Sequence, residues 1–434
     1  MEKIKVIGAG LAGCECALYL AKKGLKVDLY DIKPHGFTPA HHSEKFAELV
    51  CSNSLKSNDV YGNAAGLLKE EMRILGSVMT EAADKTKVPA GNALAVDREL
   101  FAEYITAKVK ENKNITFISG EVTSVNFDEY TVIATGPLTT DKLSSSLKEI
   151  VGGGLSFYDA SAPIVDFDSI DMNEAFFGDR YGKGDADHIN CPMNKEEYTQ
   201  FIEELKKAKR ADLHGFENSA VFEGCMPIEV MAERGDNTLR FGPLKPVGLD
   251  DPRTGRWPYA CLQLRKENSE GTAYNLVGFQ TNLLFGEQKR VFSIIPALKN
   301  AEYLRYGVMH RNTFINSPAV LNPDYSLKGR EKTFFAGQIT GVEGYVESAA
   351  SGLMAGIYLE RKINKKPQIL ISNKTVLGAL ASYITTENKN FQPMNANFGI
   401  LPPADRIIRD KAERKKHLAQ RSLTCVQNFL KEIN

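Results

Sequence analysis

The sequence predicts an α/β protein in which a Rossmann-like parallel sheet is interrupted by an inserted α+β segment. Three stretches carry that expectation: residues 4–31, 130–137 and 333–361. In the first, Ile4 to Ile7 alternate apolar side chains as a short buried strand does. Gly8, Gly10 and Gly13 follow in the spacing G-x-G-x-x-G, with Ala9, Leu11 and Ala12 between them. A helix over Cys14–Lys23 ends at Gly24, and a second strand over Lys26–Tyr30 closes on Asp31, 18 residues after Gly13. Gly8 allows a tight turn off the strand, Gly10 a close approach to a pyrophosphate, and Gly13 close helix–strand packing. The helix offers free N–H groups and its positive end to phosphates. Asp31 stands near the distance expected of a carboxylate that holds a ribose hydroxyl. Strand, glycines, helix, strand and acid in this order predict a dinucleotide site.

The second stretch, Tyr130–Pro137, is a buried strand ending in Ala134-Thr135-Gly136. It resembles the second signature of glutathione-reductase-type flavoproteins. The third stretch supplies their C-terminal signature: Thr333-Phe334-Phe335-Ala336-Gly337-Gln338, then Gly341 to Tyr345, then a helix over 346–361. Three matched segments favour FAD over NAD as the dinucleotide held tightly. No second G-x-G-x-x-G follows, so NAD(P)H is expected only as a visitor. The implied domains are 1–155 (FAD-binding, first part), 156–325 (inserted substrate domain) and 326–434 (FAD-binding, second part, with a C-terminal helix).

Between these landmarks the chain reads as follows. A short helix starts near Ser43, and Leu67, Leu68, Met72, Leu75 and Met79 place one helix over 63–84. Asp97 caps a helix over 98–112. Strands are expected over 115–118 and 122–125, and strand-like runs over 237–242, 259–264 and 274–280. A polar helix spans 195–210. The basic run 406–421 is helical, with Ile407, Ile408, Leu418 and Val426 as its apolar face; it is either a solvated surface helix or an RNA-backbone contact.

The 434 residues carry 54 basic and 54 acidic side chains, so bulk charge announces neither a nucleic-acid nor a membrane partner. Any RNA contact must use local patches. Seven cysteines without a C-x-x-C pair favour reduced thiols, and no zinc signature is present. Neither a signal peptide nor a membrane span is expected, and a cytoplasmic location fits.

Cys51 lies in a Ser/Asn-rich segment where backbone N–H groups or Lys56 could lower a thiol pKa; the alternative is a small buried hydrophobe. Cys225 sits on a bend between Gly224 and Met226-Pro227 and carries the same two readings. Cys14 and Cys16 are packing residues. His41 and His42 precede Cys51 in a Pro/Gly loop and either shuttle a proton, stack on a planar ligand or are merely solvated. Glu343, Tyr345 and Glu347 are expected near the flavin ring, although Glu347 could equally serve the helix terminus.

Longer motifs narrow these choices. Pro39 to His42, Cys51 to Lys56, Leu68 to Arg73, Phe222 to Pro227, Phe241 to Leu249, Tyr306 to Thr313 and Phe391 to Gly399 together resemble the folate- and FAD-dependent tRNA uracil-5-methyltransferase family. The resemblance runs from the first strand to about residue 400. It implies C5-methylation of a T-loop uridine, with 5,10-methylenetetrahydrofolate as carbon donor and NAD(P)H reducing the flavin. It implies Cys51 as the thiolate that adds to C6 and Cys225 as the acceptor of the C5 proton, or the pair exchanged. Reduced FAD would take the folate methylene and deliver reducing equivalents. The inserted domain would hold folate and RNA. A neighbouring family, the tRNA uridine carboxymethylaminomethyl-modifying flavoproteins, shares the Gly-rich opening but carries a long additional helical domain for which this chain has no expected counterpart. The same chemistry on ribosomal RNA, a flavin-holding RNA-binding protein and an NAD(P)H oxidase without methyl transfer are the competing readings.

Overall fold

The computed structural model describes residues 3–38, 40–151, 154–182, 186–211, 226–268, 270–307, 309–388 and 391–434, with backbone alone for 149, 154–160 and 310–312. Its centre is a six-stranded sheet in the order Ser326–Leu327, Arg330–Phe335, Thr131–Ile133, Ile4–Ile7, Val27–Asp31, Ile115–Ser119. All neighbours are parallel except the terminal Ser326–Leu327 hairpin. Ile7, Ile133, Phe335 and Tyr30 stand in register, so the strands hand over to their loops at one common edge. Val6, Leu29, Val132 and Phe334 are fully buried, as parallel strands covered on both faces require.

One face carries the helices Leu11–Lys22 and Tyr345–Ile363, which lie along one another. Their contact is set by Gly352, where a Cβ would fall 2.2 Å from the Ala12 carbonyl oxygen. The other face is covered by Leu143, Leu147 and Val151 of the helix Asp141–Val151, packed with Ile7, Ile133 and Phe335.

The second half is antiparallel: Phe176–Phe177, His188–Met193, Ala260–Lys266, Ala273–Leu276, Ile164–Asp166, Tyr303–Arg305. Its core, from Val165 to Ala301, packs the helices Lys195–Lys207 and Phe285–Phe292 through Phe201, Phe279 and Phe292. A two-stranded ribbon of Gly154–Ala160 with Met309–Ile315 joins the halves.

Several expectations are corrected. Residues 43–50 form bends rather than a helix. The span 63–84 is two helices, Ala64–Ile74 and Val78–Lys85, because Gly76 turns at φ +76° and Ser77 caps the second. Residues 122–125 are not a strand, although Val122 and Val125 pack against the sheet. Thr238–Phe241 is helical where a strand was expected. The C-terminal helix runs Lys411–Ile433, so Ile407 lies outside it and is 93 % exposed. Asp97 does cap its helix, accepting from Glu99 and Leu100 N–H.

Candidate active site

A cleft opens where the parallel strands end, and its lining includes Gly8 to Ala12, Asp31, Ala134 to Gly136, Gly337, Gln338 and Tyr345. Backbone builds most of this wall. Gly8 has φ +104°, and a Cβ there would lie 2.5 Å from the Ala134 carbonyl oxygen. Gly10 has open space on its side-chain side and begins the first helix without a side-chain cap. The helix Tyr345–Ile363 also starts uncapped at Gly344, with Tyr345 and Ser348 on the cleft. Two helix N-termini thus aim positive ends at one cleft. Asp31 accepts the Ala9 N–H at 2.7 Å and the Lys33 N–H at 3.0 Å, which fixes its carboxylate at the rim. Each oxygen keeps a lone pair for a hydroxyl. Paired helix termini and the rim carboxylate fit a dinucleotide.

Gly13 and Gly341 do not line this cleft. Gly13 sits against Gly8, where a Cβ would fall 1.8 Å from the carbonyl oxygen. Gly341 faces the Phe391 ring at 2.4 Å in the same sense. The Phe391 motif is a strap: Glu343 N–H donates to Met394 O, and Met394 N–H to Gly341 O. Gln338 Nε2 donates to both Glu343 oxygens at 2.8 and 2.7 Å, so the buried carboxylate orients a cleft-lining amide.

Cys51 follows Val50, which lines the cleft, and is half-buried. Its N–H donates to Tyr345 Oη at 2.7 Å, and the Ser52 N–H reaches the same oxygen at 3.3 Å. Burial pushes the Tyr345 phenol well above its ordinary pKa, so it stays protonated beside the thiol. Arg98, Arg265 and Arg305 all lie within electrostatic reach of Cys51. Arg98 holds the Leu49 carbonyl at 2.7 Å and pairs with Glu267 at 2.5 Å. Arg265 reaches Asn53 Oδ1 at 3.0 Å and Ser52 Oγ at 2.7 Å. Asn53 donates onward to Val96 O and Lys266 O. The segment from Leu49 to Asn53 therefore sits on a seam between the two sheets and is held from both.

The remaining candidates divide. Lys56, at φ +63°, pairs with the fully buried Glu347 at 2.8 Å rather than lining the cleft. Glu347 also accepts the Ala396 N–H at 2.9 Å. His41 lines the cleft, bonds Thr38 through Nδ1 at 2.5 Å, and is held below its ordinary pKa chiefly by burial. His42 does not line the cleft; its N–H donates to Glu48. Cys225 lies outside the described residues. Its flanks are anchored on one run, Ala211 N–H to Asn282 O and Ile228 N–H to Gln280 O, each at 2.8 Å. Cys14 and Cys16 are buried, as are Cys191 and Cys261, and burial raises all four thiols. The C-terminal helix docks Leu418, Ser422 and Val426 toward the helix Ala64–Ile74 and leaves its basic first turns exposed. The three arginines and Glu267 were not found from sequence. They belong to no motif, and only folding brings them to residue 51.

Among the described residues, no group of His, Cys, Asp or Glu is arranged to hold a metal, and no helix is long and apolar enough to cross a membrane. Sheet order, glycine cleft and paired helix termini define a flavoprotein-type dinucleotide-binding fold. The structure of Aquifex aeolicus GidA shares it, with a TM-score of 0.73 over 99 % of this chain and 73 % of that one, at 17 % identity. The chain belongs to the family described as glucose inhibited division protein A (GIDA), which it matches over residues 3–367. Within it, proteins named methylenetetrahydrofolate--tRNA-(uracil-5-)-methyltransferase TrmFO are 56 % identical. The Acetivibrio thermocellus and Listeria monocytogenes proteins align over 100 % of both chains, and the Halalkalibacterium halodurans protein over 99 %.

Proposed function

We propose that this protein methylates C5 of a uridine in the tRNA T-loop, using methylenetetrahydrofolate as carbon donor, FAD in the glycine cleft and NAD(P)H as reductant. The observation that carries the reading is Cys51, half-buried beside the cleft-lining Val50, its N–H donating to Tyr345 Oη and Arg98, Arg265 and Arg305 within electrostatic reach. The relatives' shared name supplies folate and uracil.

C5 of uracil is a poor nucleophile. A Cys51 thiolate adding to C6 pushes electrons through the ring to O4 and makes C5 nucleophilic. The arginine charges favour both the thiolate and the enolate that replaces it. C5 then bonds to the methylene carbon as that carbon's bond to one folate nitrogen breaks; its bond to the second nitrogen breaks when a hydride equivalent converts it to methyl, the nitrogen leaving with a proton. Cys225 accepts the C5 proton, and the Cys51–C6 bond breaks to restore the ring. When bound, reduced FAD supplies the two electrons that convert methylene to methyl, drawn from NAD(P)H; tetrahydrofolate and NAD(P)+ leave. Gly8 to Gly10 and the two helix termini would hold the diphosphate, and Asp31 the ribose.

A T-loop hairpin carrying 5-fluorouridine tests the reading. The protein should form a covalent adduct with it, and Cys51→Ala should form none. With ordinary uridine, Cys225→Ala should accumulate adduct and release little product. Turnover supported by S-adenosylmethionine in place of folate would refute the proposal. Mass mapping of RNA from cells lacking the protein separates a tRNA target from a ribosomal one.

A further inference from the structure

Outside the glycine cleft, three aromatic rings form a continuous stack. Phe285 lies on Tyr306 with centroids 4.7 Å apart and planes 13° from parallel; Tyr306 lies on Tyr303 at 5.0 Å and 9°. The outer ring, Phe285, is 53 % exposed, and Leu284 and Leu304 beside the stack are exposed as well. The arrangement is held in place. Gln288, fully buried one turn along from Phe285, donates to Leu283 O and Gly307 O and accepts the Gly307 N–H at 2.9 Å. A Cβ on Gly307 would lie 2.7 Å from Ser161 O, so the backbone after Tyr306 has one seat. Between the two tyrosines stands Arg305, within electrostatic reach of Cys51 and Tyr345. Its Nη2 is buried with no hydrogen-bond partner among the described residues.

A pile of parallel rings that ends in open solvent is a surface for a further flat ring. Bases splayed from a single-stranded RNA loop bind such faces, which tolerate any base. Lys209, whose carbonyl accepts the N–H of the neighbouring Leu284, and Lys289 on the Phe285 helix are exposed cations. A folate pterin has to meet the flavin in the cleft, and none of the three rings lines that cleft.

Resting on the proposed RNA methylation, we propose that Phe285 seats the base of a nucleotide flanking the target uridine. The test uses the full-length flavin-loaded protein and a T-loop hairpin with 2-aminopurine beside the target. Unmutated protein should quench the 2-aminopurine. Phe285→Ala should lose the quench and raise the KM for RNA about tenfold, the order expected for one lost base–ring stack. The kcat and the KM for folate should not move, and Phe285→Trp should restore binding. Unchanged RNA affinity in Phe285→Ala, or a raised KM for folate instead, overturns the site. Quenching by an unmutated protein that fails to methylate the hairpin leaves the stack standing and removes the activity.

Discussion

The two sheets offer different kinds of surface. The parallel half presents backbone: glycines that let a chain turn or approach, and helix ends with unclaimed N–H groups. The antiparallel half presents side chains from strands and the segments beside them: Arg265 and Arg305, Glu267 and a stack of rings. A backbone site tolerates no added atom. A side-chain site tolerates change gradually. Cys51 lies on the seam and depends on both.

The sharpest break of that contrast is Gly352→Val. Its side chain would collide with the Ala12 backbone, and no flexible group is there to yield. We expect loss of more than about 4 kcal/mol and no soluble flavin-binding protein, read by denaturation and flavin absorbance. A smaller loss is expected at the seam. Arg98→Ala leaves Glu267, 5 % exposed, without its cation and should cost about 3–5 kcal/mol in denaturant melts. Replacing both partners with apolar residues of similar volume should recover most of it. Recovery no better than the single variant would show that the Arg98–Leu49 hydrogen bond, not the ion pair, joins the halves.

Tyr345→Phe removes an acceptor that two backbone N–H groups share, while the ring remains on the cleft. Adduct formation should slow about tenfold, the cost of one or so unsatisfied buried donor, with flavin content unchanged. Equal loss of flavin would place the phenol in cofactor retention instead.

The smallest effect concerns pH. Glu71, buried, accepts the first N–H groups of the helix Val376–Thr385, and burial pushes its carboxyl up to about 7 from an ordinary 4.5. The folded form therefore binds the proton more tightly than the unfolded chain does. Its contribution to stability is complete below pH 4.5 and is lost as pH rises through 7. Glu71→Gln should flatten the change in Tm between pH 5 and pH 8; an unchanged slope would place the titration elsewhere, with Glu15, which burial also raises to about 7, as the next group to vary.

Local order explains what was legible. The residue 4–31 signature, the Asp97 cap and the Gly337 turn were readable because each is fixed by residues a few positions apart. The same dependence misled at 63–84, where a periodic apolar stripe hid the Gly76 break, and at 237–242, where four residues coil into a helix under Tyr198 and Leu244.

The sequence by itself determined the parallel sheet and the glycine cleft, because backbone geometry and local motifs need no distant partner. Only the tertiary structure decided what surrounds the Cys51 thiol. Arg98, Arg265, Arg305 and Tyr345 come from four separate segments, and side-chain charge and ring faces have no local signature until packing brings them together.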